Sequence, residues 1–275
     1  MMKMKYLYVL FALLCFASCA NERKNKGSEE EKEVIKNTLK VMSYNIHIAQ
    51  PPSKPDIVDI DAIVRTIEKE DPDLVALQEV DRFTERSGKH LDQAKAIADK
   101  LGMHFYFAKA TDRSNGAYGL AVLSKYAIIN SNKQILGATL EVEPRTIGVV
   151  EVEIARGKKL LFATTHLDHH EIDEYRAVHA REMIAFLKDY ADFPIIIGGD
   201  FNMLPDNQVW QYIEPDFKRA CETCPNTAPT PDPIRAIDHF LLNGIGLSTF
   251  DIVDFYTVNE TYASDHLPIV MKLEY

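Results

Sequence analysis

The stretch that best indicates the fold is Pro194-Ile195-Ile196-Ile197-Gly198-Gly199-Asp200-Phe201-Asn202. Its branched apolar residues are typical of a buried strand, and its polar residues begin where that strand should end. In α/β enzymes the reactive groups lie at strand ends. Asp200 and Asn202 are two positions apart, so on extended backbone both side chains point the same way. The two glycines before them allow close approach to the backbone.

Five further polar runs follow or begin short apolar segments, so they should also lie at strand ends. They are Tyr44-Asn45-Ile46-His47, Leu77-Gln78-Glu79-Val80, Thr165-His166-Leu167-Asp168, Ile237-Asp238-His239 and Ser264-Asp265-His266. Taken singly, each run fits an ordinary solvent-facing strand end. Strand ends are where an α/β enzyme gathers its chemistry.

The pattern of apolar residues predicts alternating strands and helices. Helices are predicted over residues 57–69, 92–101 and 171–190. Strands are predicted over residues 39–48, 73–79, 104–108, 119–124, 133–140, 146–154, 159–165, 194–198, 237–242 and 267–273. Strand–helix–strand order at both ends, with β-meanders between, predicts an α/β (or α+β) domain of two packed sheets covered by helices.

The six runs, in this order, resemble those of the metal-dependent endonuclease/exonuclease/phosphatase superfamily. The resemblance covers nearly everything from Leu39 to Tyr275, so residues 38–275 are expected to form a single domain. It implies a four-layer αββα sandwich, in which two mixed sheets are flanked by helices and the active site lies at one edge of the sheets. It also implies a metal-dependent enzyme that hydrolyses phosphoester bonds.

The resemblance assigns the metal site to three residues. A hard cation neutralises the charge of a phosphoester, and Mg²⁺ takes one or two protein carboxylates together with water and substrate oxygens. Glu79 is expected to bind the metal with the help of Asn45, and Asp265 is expected to lie near it. The expected cofactor is Mg²⁺, with Mn²⁺ as the alternative, because hard oxygen ligands do not separate the two ions.

His266 is the candidate general base, because an ordinary imidazole pKa near 6.5 suits it to accept a proton from water. Asp265 is adjacent in sequence, so on a strand its side chain points to the opposite face. The resemblance gives the partner role to Asp238 instead. It also implies that Asp200 orients the attacking water, that Asn202 donates to the phosphate, and that His166 donates to a phosphoryl oxygen or to the leaving group.

Three further residues are candidate substrate-binding groups. Tyr118 matches a segment where relatives place a tyrosine beside the phosphate, and Arg145 is a candidate cation on the substrate side. Arg86 is a candidate bidentate clamp on phosphate; the alternative is an ordinary solvated loop charge. The remaining histidines singled out are predicted to be structural or surface residues: His47, His169, His170, His179 and His239. For His169 and His170, the argument against a metal cluster is that adjacent histidines on a chain diverge.

Residues 1–18 are typical of a signal peptide, with a basic start and an apolar core that is too short to span a bilayer. The core ends in Phe16-Ala17-Ser18-Cys19, which resembles a bacterial lipoprotein signal and predicts lipidation of Cys19. Residues 19–37 are charged and are expected to form a flexible tether. The predicted location is therefore the bacterial cell envelope, lipid-anchored outside the cytoplasm. The alternative is an ordinary secretory signal.

Charge favours some substrates over others. The chain carries 31 basic and 41 acidic residues, and removal of Lys3 and Lys5 with the signal leaves a net charge of −12. An acidic surface disfavours non-specific attraction to nucleic acid, although a local basic groove can exist within an acidic total. Cys221 and Cys224 form a C-x-x-C pair, for which a loop disulfide and two free thiols are both open.

The sequence therefore predicts a monomeric phosphodiesterase that acts on a small or lipid-borne substrate, of the sphingomyelinase or inositol-phosphate type. One alternative is an envelope nuclease that cleaves DNA or RNA. The other is a catalytically silent surface module of the same fold. A silent module would be expected to have lost at least one of the eight residues placed in the catalytic and metal sets, whereas this chain has all of them.

Overall fold

The computed structural model describes residues 36–275. The predicted signal peptide, the predicted lipidation site at Cys19 and the tether up to residue 35 lie outside the described residues. Asn37 already exchanges backbone hydrogen bonds with Tyr275, at 3.1 and 3.0 Å. No helix among the residues described is long and apolar enough to cross a membrane.

The described chain forms strands and helices in alternation. The strands are β1 (Thr38–Asn45), β2 (Leu74–Arg82), β3 (His104–Arg113), β4 (Gly116–Ser124), β5 (Ile128–Leu136), β6 (Arg145–Ala155), β7 (Lys158–His166), β8 (Ile195–Asp200), β9 (Phe217–Arg219), β10 (Asp238–Asn243), β11 (Asp251–Thr257) and β12 (Ile269–Glu274). The helices are α1 (Ile60–Glu70), α2 (Gln93–Leu101), α3 (Asp173–Leu187) and α4 (Gly244–Thr249). Short 3-10 turns cover His47–Ala49, Lys188–Tyr190 and Gln208–Tyr212.

The strands form two mixed sheets of six strands each. The first sheet has the order β11-β12-β1-β2-β4-β3, and the second has the order β5-β6-β7-β8-β10-β9. Strands β1 and β2 are parallel in the first sheet, and β7 and β8 are parallel in the second. Each of these parallel pairs is joined by a helix, α1 in the first sheet and α3 in the second, as parallel strands require.

Three apolar clusters separate four layers of structure. Successive residues of a strand point to opposite faces of its sheet, so Val41 packs between the two sheets while Met42 packs under α1 and α2. In the same way Ile196 faces the space between the sheets, and Ile197 packs under α3. The predicted four-layer αββα sandwich is confirmed.

Most predicted elements are present, but some bounds were wrong. Helix α1 begins at Ile60 rather than at 57, because the side chain of Asp59 caps it by accepting from Ala62 N. Helix α3 begins at Asp173, so Glu171 lies before it. The strand predicted over 133–140 ends at Leu136. Strands β9 and β11 and helix α4 were not predicted.

The two sheets are in close contact at Gly198, two residues before Asp200 in the candidate site. A Cβ added there would lie 2.8 Å from Phe240 and 3.1 Å from the Cβ atoms of Ala76 and Ser43. Only glycine fits this approach without movement of its neighbours. The close approach predicted at Gly198 is therefore an approach of the first sheet to its backbone. Cys221 and Cys224 are joined by a disulfide.

Candidate active site

The register of the second sheet places three candidate residues side by side. Asp200 at the end of β8 is the partner of His166 on β7 and of Asp238 on β10. All three side chains are buried. Because β8 lies between the other two strands, Asp200 occupies the middle of the group.

Asp238 and His266 form a hydrogen-bonded pair. His266 Nδ1 lies 2.8 Å from Asp238 Oδ2, and His266 Nε2 lies 3.7 Å from Asp200 Oδ2. The backbone N–H of His266 donates to Ser264 Oγ, whose hydroxyl donates to the carbonyl of Asn45. The run that carries His266 is thereby attached to β1 of the first sheet, which brings residues of both sheets to one site.

The first sheet contributes Asn45 and Glu79. Asn45 Nδ2 donates to Glu79 Oε1 at 3.2 Å and to Asp200 Oδ2 at 3.1 Å, and so joins the two carboxylates. Glu79 has a left-handed φ of 56° where the register of β2 shifts between Leu77 and Val80. This β-bulge redirects the side chain. The sequence predicted Glu79 at a strand end, whereas β2 continues to Arg82.

Asn202 and His166 lie on the other side of Asp200. Asn202 also has a left-handed φ, of 51°, and its backbone N–H donates to Asp200 Oδ1 at 2.9 Å. Its side-chain Nδ2 donates to the carbonyl of Leu167 at 3.2 Å and lies 3.1 Å from His166 Nε2. His166 Nε2 is also 3.4 Å from Asp200 Oδ2. The expectation that Asp200 and Asn202 share an extended segment fails at Asn202, because its backbone turns.

A cavity of about 320 Å³ connects these groups. The sequence-predicted residues that line it are Glu79, Arg86, Tyr118, Arg145, His166, Asp200, Asn202 and His266. Sequence reasoning did not place three further lining residues: Arg113, Glu143 and His169. The motif Glu143-Pro144-Arg145 had pointed to the neighbourhood of Glu143, whereas Arg113 lies in a hairpin that no motif marked.

Arg145 and Tyr118 are buried at the wall of this cavity. Arg145 Nη2 lies 3.1 Å from His169 Nδ1, and its Nη1 lies 3.7 Å from Glu143 Oε2. Arg86 makes the bidentate contact that its fork allows, but with Asp81, through two bonds of 2.8 Å. The guanidinium of Arg86 also lies over the Tyr118 ring, 5.3 Å from the ring centroid.

The prediction that adjacent histidines diverge was wrong for His169 and His170. Their ring centroids are 4.4 Å apart. His170 Nδ1 lies 2.8 Å from Asp168 Oδ1, while His169 turns toward Arg145 and lines the cavity. Both residues lie in the loop after β7, outside any strand, so the alternation of a strand does not apply to them.

The other histidines predicted to be structural lie outside the residues that line the cavity. His47 Nδ1 lies 2.8 Å from the carbonyl of Gln50. His179 and His239 are fully buried on the α3 side of the second sheet, and burial lowers the pKa of each to about 4. Both therefore remain neutral at ordinary pH.

Charges within the site shift the pKa of its members in opposite directions. Burial, followed by the nearby charge of Asp238, raises the pKa of Asp200 to about 7. Burial by itself would lower the pKa of His266, but Asp238 and Asp200 outweigh it and raise that pKa to about 10. Burial and the charge of Arg145 lower the pKa of His166 well below its usual value. Asp200 and His266 therefore bind protons more tightly than usual, and a nearby cation would favour their release.

The carboxylates fit a hard divalent cation. Glu79 lines the cavity half-buried. Burial and the charge of Asp238 raise the pKa of Asp200, and a cation beside it would offset this negative charge. Asn45 presents its Nδ2 to both, while its Oδ1 accepts from the backbone N–H of His47 at 3.0 Å. In this arrangement Asn45 orients the two carboxylates, and its own oxygen does not face a cation held between them. Asp265 is half-buried and lies outside the residues that line the cavity.

Comparison with known proteins places this arrangement in one enzyme class. Residues 42–266 match the model of the Endonuclease/Exonuclease/phosphatase family. Nocturnin from Xenopus laevis is 29% identical over 161 residues, which is 51% of this chain and 38% of nocturnin. The matched region therefore spans less than half of that relative's length.

Solved structures of the same family share the fold. The endonuclease/exonuclease/phosphatase from Beutenbergia cavernae has a TM-score of 0.69 at 23% identity, covering 86% of this chain and 71% of that one. A mannosyl-6-phosphatase from Bacteroides thetaiotaomicron has a TM-score of 0.68 at 21% identity, covering 86% and 100%. Fold and site define a class of phosphoester hydrolases that are generally dependent on divalent metals. The chain belongs to the Endonuclease/Exonuclease/phosphatase family.

Proposed function

We propose that this protein is a Mg²⁺-dependent phosphodiesterase that acts on a small or lipid-borne phosphoester outside the cytoplasm. The observation that supports it best is the grouping around Asp200. Its carboxylate lies within 3.1 to 3.7 Å of an amide and two histidines, in a cavity that arginines border. Such a set can bind a phosphoryl group and move a proton in the same place.

Glu79 and Asp200 would hold the cation, with Asn45 fixing the direction of both carboxylates through its two hydrogen bonds. When bound, the cation neutralises phosphate charge and polarises the phosphoryl group. Mg²⁺ is proposed for the oxygen donors, and Mn²⁺ would satisfy the same donor set. Asp265 remains a proposed ligand at the margin of the site.

His266 is the proposed general base. In the absence of a cation its pKa of about 10 keeps it protonated at neutral pH. Positive charge beside Asp200 would lower the pKa of His266 and keep Asp200 ionised. His266 could then accept a proton from the attacking water, which Asp200 would orient. Asp238, 2.8 Å from His266 Nδ1, would stabilise the resulting imidazolium.

The opposite wall of the cavity would bind the phosphoryl oxygens. Asn202 would donate through Nδ2, and His166, whose lowered pKa keeps it neutral, would donate an uncharged N–H to a phosphoryl or leaving oxygen. Arg145 and Tyr118 would add a buried cation and a hydroxyl. Arg86 would act mainly through its charge, because its Nε and Nη2 groups already donate to the carboxylate of Asp81.

The charge distribution favours a small substrate over nucleic acid. Each of the three arginines that line the cavity is paired with a carboxylate: Arg86 with Asp81, Arg113 with Glu143 and Arg145 with Glu143. The whole chain carries a net charge of −10. A long polyanion gains affinity by contact with many unpaired cations. The paired arginines and the negative net charge do not provide such a surface.

The test is a turnover screen of the full-length protein in mild detergent, with and without Mg²⁺. The panel holds a generic phosphodiester, a phosphomonoester, sphingomyelin, inositol phosphates and plasmid DNA. Turnover of a small or lipid-borne diester that falls at least ~10²-fold in His266→Ala is expected, since loss of a general base costs that much. Preference for DNA would make the protein a nuclease. No metal-dependent turnover of any substrate would contradict the proposal.

The location in the envelope rests on Cys19, the proposed lipidation site, and the proposed monomer is membrane-bound through that anchor alone. We expect Cys19→Ser to move the protein from the membrane fraction to the soluble fraction of cells. Cys221→Ser together with Cys224→Ser is the control, because it replaces two cysteines that are distant in sequence from Cys19. Continued membrane association of Cys19→Ser would show that another anchor exists.

A further inference from the structure

A second, more open cavity adjoins the one that contains the candidate catalytic residues. It has a volume of about 710 Å³, and Phe83, Asp112, Arg113, Ser114 and Asn115 are among its lining residues. We call it the outer cavity. Arg113 lines both cavities, so the two cavities share a wall at this residue.

Backbone contacts join the walls of the outer cavity. Ser114 and Asn115 have positive φ values of 46° and 59°, which form the tight two-residue turn between β3 and β4. A Cβ on Gly116 would lie 2.5 Å from the backbone of Phe83, and Glu85 N donates to the carbonyl of Ser114 at 2.7 Å. The hairpin tip therefore packs on the loop that carries Phe83.

Both the exposure and the backbone conformation of Phe83 are energetically unfavourable in the free protein. Its side chain is 44% exposed, and its φ of 58° is in the left-handed region, which is strained for a bulky residue. The guanidinium of Arg82 covers the ring at 5.3 Å from its centroid and lies 2.9 Å from the carboxylate of Asp92. An aromatic ring kept exposed and oriented in this way beside a cavity is suited to contact a ligand.

The polar groups around Phe83 identify the kind of ligand. Arg113 has donors beyond its ion pair with Glu143, and exposed Asp112 has an acceptor oxygen beyond its ion pair with Lys109. The Asn115 amide supplies both a donor and an acceptor. Sugar hydroxyls also donate and accept, so this mixed wall matches them. An aromatic ring can pack against the C–H face of a sugar while planar polar side chains bind its hydroxyl edge.

We propose that the outer cavity binds the sugar ring of the substrate, which makes the substrate class a sugar phosphoester. This inference rests on the proposed function, because the phosphoryl group of the same molecule would lie in the smaller cavity. Arg113 would contact both parts of the substrate. Phe83 would determine specificity without taking part in the chemistry.

Binding is tested first, with the full-length protein, Mg²⁺ and saturation-transfer NMR. The ligands are a hexose 6-phosphate, glycerol phosphate and a nucleoside monophosphate. Ring protons of the hexose should receive saturation from the protein, and hexose-phosphate affinity should exceed that of glycerol phosphate. Phe83→Ala should weaken hexose-phosphate binding about tenfold and leave glycerol phosphate unchanged. Phe83→Trp should retain binding.

Tyr212→Ala is the matched control, since Tyr212 is also an exposed aromatic ring beneath an arginine but lies outside both cavities. Turnover of the hexose phosphate and of its methyl diester is then measured on the same variants. Binding that depends on Phe83 without any turnover would contradict the proposed function and leave the sugar site standing. Hexose-phosphate affinity that is equal in wild type and Phe83→Ala, or a Phe83-dependent preference for the nucleotide, would overturn the sugar proposal.

Discussion

Asp200 lies between groups that pull its protonation in opposite directions. Burial and Asp238 raise its pKa, while His266 and the hydrogen bonds from Asn45 and Asn202 lower it. The balance leaves a pKa of about 7, so a small change in local charge decides whether the carboxylate is ionised. The protonation of the site should therefore respond strongly to single substitutions and to metal.

Asp238→Asn should lower the pKa of His266, because it removes the nearest negative charge from a histidine whose pKa that charge raises to about 10. The same substitution should lower the pKa of Asp200, which the charge of Asp238 raises. Titration of the His266 ring by NMR in the metal-free protein measures the first shift. An unchanged His266 titration would show that the 2.8 Å contact does not control its protonation.

Glu79→Gln should increase the Mg²⁺ concentration needed for half-maximal turnover, because the amide keeps the size of the side chain but loses the charge that attracts the cation. Calorimetric titration with Mg²⁺ should show weaker binding independently of activity. Glu222→Gln, which removes the same charge from an exposed loop residue, is the control. If Mg²⁺ affinity were equal in wild type and Glu79→Gln, Glu79 would not be a ligand.

At the scale of the elements, strand ends and irregularities place the side chains. The β-bulge in β2 turns Glu79 toward the cavity, and the left-handed backbone at Asn202 lets its N–H bond Asp200. The ends of β1, β7, β8 and β10 then meet because two sheets pack face to face. The two sheets are in close contact at Gly198, near these strand ends.

Gly198→Ala should destabilise the fold by roughly 1–3 kcal/mol, the usual cost of overpacking a core. Its new Cβ would lie 2.8 Å from Phe240 and 3.1 Å from residues of the first sheet. Thermal or urea unfolding measures the change. Gly244→Ala is the matched control, because no other described residue lies within 4 Å of a Cβ added there. Equal destabilisation by both substitutions would contradict the packing argument.

At the scale of the whole molecule, buried histidines link stability to pH. His179 and His239 have a folded pKa of about 4, below the unfolded value near 6.5. The unfolded chain therefore binds more protons in the window between these values. Their contribution to stability is complete above pH 6.5 and is lost as the pH falls toward 4.

His179→Gln should reduce this acid destabilisation by up to about 3 kcal/mol between pH 6.5 and 4, even if it lowers stability at pH 7. The free energy of unfolding, measured by urea at several pH values, gives the slope. Asp200 has the opposite sign, since its raised pKa favours the folded state as the pH falls from 7. The exposed His104 provides the control His104→Gln. If the free energy of unfolding changed with pH equally in wild type and His179→Gln, His179 would not contribute to the acid destabilisation.

The sequence by itself determined the layers of the fold and the main members of the candidate site. Branched runs such as Ile195–Ile197 predict buried strands from local spacing. The order of the six polar runs carries the family resemblance, which implied the four layers and the shared site. The family resemblance named Asp238 as the partner of His266, and His266 contacts Asp238. The argument from strand alternation at Asp265 does not apply, because Asp265 and His266 lie in a bend before β12.

Only the tertiary structure decided the details that depend on irregular backbone or on distant segments. The proximity of His169 to Arg145, the capture of Arg86 by Asp81 and the amide orientation of Asn45 arise where the chain leaves regular geometry. Arg113 reaches both cavities from a hairpin that is remote in sequence from the motifs. Periodicity describes neighbours along one strand or helix, whereas these contacts depend on how separate segments pack against one another.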